Sequence, residues 1–125
     1  MIRALMGIPE IVVEDGGCYE WNLMAAGLHG RFLICEESVG MLFLQLADSV
    51  LSVKLVEHWH YQFSNGEFAT RMALAFQNNC WWLVQRFECT EALRSAVCLQ
   101  IQLAECIQAI ARSDAQPSVL NWGRA

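Results

Sequence analysis

Two tryptophans stand side by side at positions 81 and 82, within a β-prone run of aromatic and aliphatic residues from 80 to 87. Neighbouring residues of a strand point to opposite faces of its sheet, so one indole enters a core while the other faces outward. The same two-sidedness holds for Phe32-Leu33-Ile34-Cys35 and for Met41-Leu42-Phe43-Leu44. Leaving a tryptophan in water forfeits on the order of a few kcal/mol, at about 25 cal/mol per Å² of apolar surface. Both faces of such a sheet therefore need a cover. Either the terminal helices cover both faces and every aromatic is ordinary core, or a self-complementary second copy and a partner groove supply the cover; the second is favoured because two or three helices seldom sheathe both faces of a sheet of about five strands.

The composition agrees. A chain of 125 residues has the size of a single domain. Its hydrophobic fraction is 55% and its charged fraction only 17%, against norms of about 45–50% and about 25%. The net charge of −5 comes from 13 acidic and 8 basic residues, with no basic patch to neutralise a phosphate backbone, so nucleic acid is excluded as a partner. The most apolar stretch, residues 39–56, is interrupted by Gly40, Gln45, Asp48, Ser52 and Lys54, and reads as no membrane span. Six cysteines occur without a Cys-x-x-Cys pair, and no secretory signal opens the chain. They read as free thiols in a reducing cytoplasm.

Residues 1–6 read as a short helix stopped by Gly7 and Pro9. Residues 11–13 are extended, and Asp15-Gly16-Gly17 offers glycines for positive φ in a tight turn, with a strand beginning at Cys18. Three β-like runs, 18–24, 31–35 and 41–46, suggest a meander. Between Ser49 and Phe63 the period changes: Leu51, Leu55, Trp59 and Phe63 recur every four residues, the mark of an amphipathic helix that Ser49 could cap. Asn65-Gly66 is a turn. Residues 67–76 alternate as a strand and join the strand at 80–87 through Gln77-Asn78-Asn79, giving a hairpin. Thr90 suits an N-cap, with Glu91 favourable to the dipole of a last helix that runs to about Arg112. The expectation is one α+β domain over 1–113, an antiparallel, strongly twisted sheet of about five strands with two or three helices, and a tail over 114–125.

Chemistry is poorly represented. His58 and His60 flank Trp59, but residues two apart on a helix diverge by about 200°, so they cannot share a metal ion. His29 has no partner in view. Cys106 reads as a packing residue on an apolar helix face, where a thiolate is disfavoured. Glu14/Asp15 and Glu36/Glu37 sit in turns, where charge is solvated. Gly16-Gly17 lacks the following helix that a phosphate-binding loop requires. No catalytic residue, cofactor or metal site is expected.

The order Gly7-Ile8-Pro9, Ile11-Val12-Val13, Glu14-Asp15-Gly16-Gly17, a meander, the helix carrying Leu55 to Phe63, the Asn65-Gly66 turn and the Trp82-Leu83-Val84-Gln85-Arg86-Phe87-Glu88 strand before a last helix resembles the class I chaperones of bacterial type III secretion. The resemblance spans nearly the whole chain and is one of pattern and spacing. It implies a cytoplasmic bacterial homodimer that binds the N-terminal region of a secreted effector, keeping it soluble and secretion-competent without ATP. It further implies a dimer seam at Leu55, Trp59 and Phe63, and grooves lined by Leu23, Phe32, Ile34 and Leu44 that take effector strands by β-augmentation. Trp81 and Trp82 are assigned to partner binding or to the dimer. The family's first helix usually has several turns, whereas residues 1–6 supply little of one. The alternative is therefore a chaperone-like regulator that binds a regulatory or apparatus protein of the secretion system, with a small-ligand domain or enzyme a distant third.

Overall fold

The computed structural model describes residues 2–36, 39–46, 51–65, 71–88 and 93–115. Strands β1 (Ile11–Gly16), β2 (Glu20–Ala25), β3 (Leu28–Glu36) and β4 (Val39–Gln45) form an antiparallel meander. Strands β5 (Met72–Gln77) and β6 (Cys80–Phe87) form a hairpin whose second strand pairs antiparallel with β4. The result is an open, six-stranded sheet in the order β1-β2-β3-β4-β6-β5. Three helices accompany it: α1 (Ile2–Met6), α2 (Val53–Asn65) and α3 (Leu93–Ala115). The α+β class and antiparallel pairing match the sequence reading; the sixth strand arises because the extended segment at 11–13 lengthens to Gly16 and pairs with β2 on both sides of a bulge at Glu14.

One face of the sheet is core. Ile11, Leu23, Ala25, Phe32, Leu42, Leu44, Met72, Leu74, Leu83 and Phe87 share one strand parity, and they cluster with Leu5 of α1, Leu55, Trp59 and Phe63 of α2, and Leu93, Val97, Ile101, Ala104 and Ile107 of α3. All three helices therefore pack on the same side. Gln100 is fully buried on α3 and donates from Nε2 to the carbonyls of Leu42 (2.8 Å) and Leu83 (3.0 Å), which places one polar side chain astride the β4–β6 seam.

Several local features sit apart from their sequence-based positions. The β1–β2 turn lies at Cys18-Tyr19, closed by Gly17 N–H donating to the Glu20 carbonyl at 2.9 Å. Among the described glycines only Gly27 has positive φ. Gly16 is required instead for room: a Cβ there would lie 2.0 Å from Trp21 Cδ1. Helix α2 begins at Val53, and Ser52 is its cap, Oγ accepting from Leu55 N–H at 3.2 Å; Ser49 lies outside the described residues, as do Gly66, residues 67–70, Thr90, Glu91 and the tail from 116 onward. Asn78 (φ 54°) and Asn79 (φ 60°) are both left-handed, the geometry of a type I′ hairpin turn. Helix α3 continues to Ala115, past the expected end near Arg112.

Candidate protein-binding face

The face of the sheet turned away from the helices carries the opposite parity. Leu33 of β3, Met41, Phe43 and Gln45 of β4, Cys80, Trp82 and Val84 of β6, and Ala73 and Ala75 of β5 point there, with Met24 of β2 beside them. No described helix lies on this side. Trp82 and Val84 are nonetheless buried, 8% and 6% exposed, and neither belongs to the helix-side core. Neighbours within the sheet enclose them. Phe43 meets the Trp82 indole edge-on, with ring centroids 6.5 Å apart, and Trp82 Nε1–H donates to the Gln77 carbonyl at 3.1 Å. Gln45 Nε2 donates to Cys80 Sγ at 3.2 Å. Leu33, Met41 and Phe43 stay half-exposed around this centre.

Toward β1 and β2 the same face dips into a depression of about 380 Å³ lined by Glu14, Asn22, His29, Arg31, Gln45 and Trp82 among others. Arg31 pairs with Glu20, and Asn22 Nδ2 donates to Asp15 Oδ1 at 2.8 Å, so these two side chains of its border are partnered within the chain. An apolar centre with a polar border is the anatomy of a protein-contact surface.

The two tryptophans thus divide as strand alternation requires. Trp82 lies on the helix-free face, whereas Trp81 shares the parity of Leu83 and packs against the core. Trp81 is half-buried, its ring 5.2 Å from that of Phe76, itself 57% exposed at the end of the edge strand β5.

The other partner-facing residues read from sequence occupy different places. Leu23, Phe32 and Leu44 are at most 1% exposed, enclosed by the chain's own helices, and Ile34 packs half-buried against the same core. A groove lined by them is closed in this chain. Leu55, Trp59 and Phe63 likewise point into the core from α2, with Trp59 and Phe63 rings 5.6 Å apart. On α2 the large apolar side chains left in solvent are Val53 and Tyr61. The physical reason is common to both sets: the periodicity that marks a helix or strand face as apolar is satisfied first by intrachain burial. The residues that reasoning passed over, Leu33, Met41 and Phe43, sit in the same runs at the opposite parity, and that alternation was the signal available to find them.

His58 and His60 are exposed on α2, His29 is exposed on β3, and among the described residues no group of three or more His, Cys, Asp or Glu is placed to hold a metal ion. Cys106, expected in the core, is exposed, because the buried face of α3 runs through Ala104, Ile107 and Gln108 instead. No described helix is long and apolar enough to cross a membrane. Comparison with protein-family models, with curated proteins and with solved structures finds no match to the chain.

Proposed function

We propose that the chain is a protein-binding domain that acts as a homodimeric, cytoplasmic chaperone of the type III secretion kind, binding the N-terminal region of a secreted effector and keeping it soluble and secretion-competent. The observation that carries this reading is the sheet whose described helices all lie on one side, and whose other side presents half-exposed Leu33, Met41 and Phe43 around Trp82. Apolar side chains of this kind on a polar-bordered face gain free energy when a partner removes them from water. Among the described residues β1 and β5 are edge strands, which supports the reading further, since an edge strand can pair its outward backbone groups with an extended segment. Contact is assigned to the helix-free face rather than to Leu23, Phe32 and Leu44. Any dimer seam on α2 would use Val53 and Tyr61, since Leu55, Trp59 and Phe63 are spent on the core.

The test combines light scattering with affinity capture from the native cell lysate, followed by co-expression of the captured protein's N-terminal region. A dimer that captures a secreted protein and renders that region soluble is the expected result. Phe43→Ser and Leu33→Ser, both at half-exposed positions, should abolish capture while leaving the far-ultraviolet circular dichroism unchanged. A monomer that solubilises no captured segment refutes the proposal. Capture of a folded regulator, with effector solubility unaffected by deletion, transfers the assignment to the regulatory alternative.

A further inference from the structure

On the helix-free face the strand register lays charges of opposite sign at the two sides of an apolar centre. Glu20 of β2 stands opposite Leu33 of β3, Leu33 opposite Met41 of β4, and Met41 opposite Arg86 of β6, so the four form one row across the sheet. The row reads acid, apolar, apolar, base. Glu20 and Arg86 are exposed, and Leu33 and Met41 half-exposed. Exposed Arg71 lies beside Arg86, its carbonyl accepting from the Arg86 N–H at 3.0 Å, so the basic end holds two arginines. In the next row Arg31 of β3 stands opposite Phe43 of β4.

Neither end of the row is used up within the chain. Arg86 meets Glu88 at 3.6 Å, but the side chains are 53% and 71% exposed, and a pair so open to water holds little. Glu20 takes Arg31, yet its side chain remains 48% exposed, and a carboxylate has acceptor sites for a second guanidinium.

The strand order β1-β2-β3-β4-β6-β5 puts the midline of the sheet between β3 and β4. A two-fold axis along that midline, parallel to the strands, turns a second copy face to face with the first. It exchanges β3 with β4 and β2 with β6, and leaves position along the strands unchanged. Glu20 of each copy then lies over Arg86 of the other, Leu33 over Met41, and, one row on, Arg31 over the Phe43 ring, a cation on an aromatic face. Aligned sheets cross at about 30°, which shifts residues about 7 Å from the axis by roughly one residue's rise, a distance the long Glu and Arg side chains absorb. Like signs at both ends of the row would repel under this operation; opposite signs make the face its own complement.

We propose that the helix-free face is the seam of a two-fold homodimer, closed by Leu33 and Met41 at its centre and by Glu20–Arg86 contacts on either side. Trp82, 8% exposed within its own chain, gains little further cover from the second copy. The inference rests on the homodimer of the proposed function, gives that dimer its seam, and leaves the edge strands β1 and β5 to the secreted segment.

Sedimentation equilibrium of the full chain, of Glu20→Arg and Arg86→Glu alone, and of the two variants mixed in equal amounts tests the seam. Both positions are exposed, so each variant should keep the parent's circular dichroism. Alone, each variant sets like charges together at both symmetry-related contacts, and its dimer dissociation constant should rise by about tenfold or more. Mixed, the variants restore an opposite-sign pair at each contact, and a heterodimer of near-parental affinity should form. A parental chain that stays monomeric, or a mixture that binds no tighter than the variants alone, overturns the inference. So does a dimer that neither reversal weakens; if the reversals instead cost capture of the secreted protein, the face belongs to that segment and the chaperone reading stands. A dimer that passes the mixing test and solubilises no captured segment keeps the seam and refutes the chaperone.

Discussion

Replacing Trp82 with alanine tests whether an indole on a sheet face without helices is covered by its own chain. A tryptophan buries on the order of 200 Å² on folding, worth about 5 kcal/mol at about 25 cal/mol per Å². The unfolded chain already hides roughly 10–40% of that area, which lowers the figure to about 3–4 kcal/mol. The edge-on contact with Phe43 and the bond from Nε1 to Gln77 each add about 1 kcal/mol. The vacated site opens toward solvent, so water fills it and no sealed cavity adds to the loss. The expected destabilisation is about 5 kcal/mol, larger than the roughly 2 kcal/mol for Trp81→Ala at the half-buried position. Urea unfolding followed by circular dichroism at two protein concentrations tenfold apart measures both. The midpoint shift for Trp82→Ala should be the same at each concentration, with an unchanged m-value. A cost under about 1 kcal/mol, or one that grows with protein concentration, would refute the reasoning, because the cover would then come from a second copy.

Other expectations are more local. Gln100→Ala removes both donors to the β4–β6 seam from a fully buried site, and should cost about 2–3 kcal/mol, with amide exchange accelerating most at Leu42 to Leu44 and Leu83 to Gln85. Gly30→Ala places a Cβ 2.7 Å from Leu23 Cδ1 and 3.0 Å from the Phe43 carbonyl, so thermal unfolding should show a loss of about 1–3 kcal/mol. Asn79→Gly puts glycine at a residue with φ of 60° in the type I′ turn and should stabilise the chain by several tenths of a kcal/mol, read as a slight rise in melting temperature.

Much of this architecture was legible before any coordinates, and the division between legible and illegible has a physical basis. Alternation marked the β5–β6 hairpin, the four-residue recurrence of Leu55, Trp59 and Phe63 marked the buried stripe of α2, and adjacency of Trp81 and Trp82 forced them to opposite faces. These are properties of one element alone. Which face of the sheet the helices would choose is a property of the whole chain, and parity is silent about it: Leu23, Phe32 and Leu44 share a face, as do Leu33, Met41 and Phe43, and both sets are apolar. The selection is made where α3 lays Val97, Ile101, Ala104 and Ile107 against one of them. Gly16 was misread for a related reason. Its need for space comes from the Trp21 indole across the hairpin, and a turn signature in sequence reports only backbone dihedral preference.

The strand order also sets the order of assembly. Strands β1 to β4 pair with their sequence neighbours, and so do β5 and β6, so each group needs only short loops to close and forms quickly. The β4–β6 pairing is different: it joins the two groups across the intervening α2 and pays a larger loop-closure entropy. Gln100, which grips a carbonyl on each side of that seam, is still further along the chain. During synthesis, therefore, the meander and the hairpin emerge and collapse as separate pieces, and the sheet acquires its final breadth only after most of α3 has left the ribosome. A nascent chain arrested before residue 100 would carry two apolar half-sheets with exposed edges at β4 and β6, which makes the last helix the fastener of a two-part molecule as well as the lid of its core.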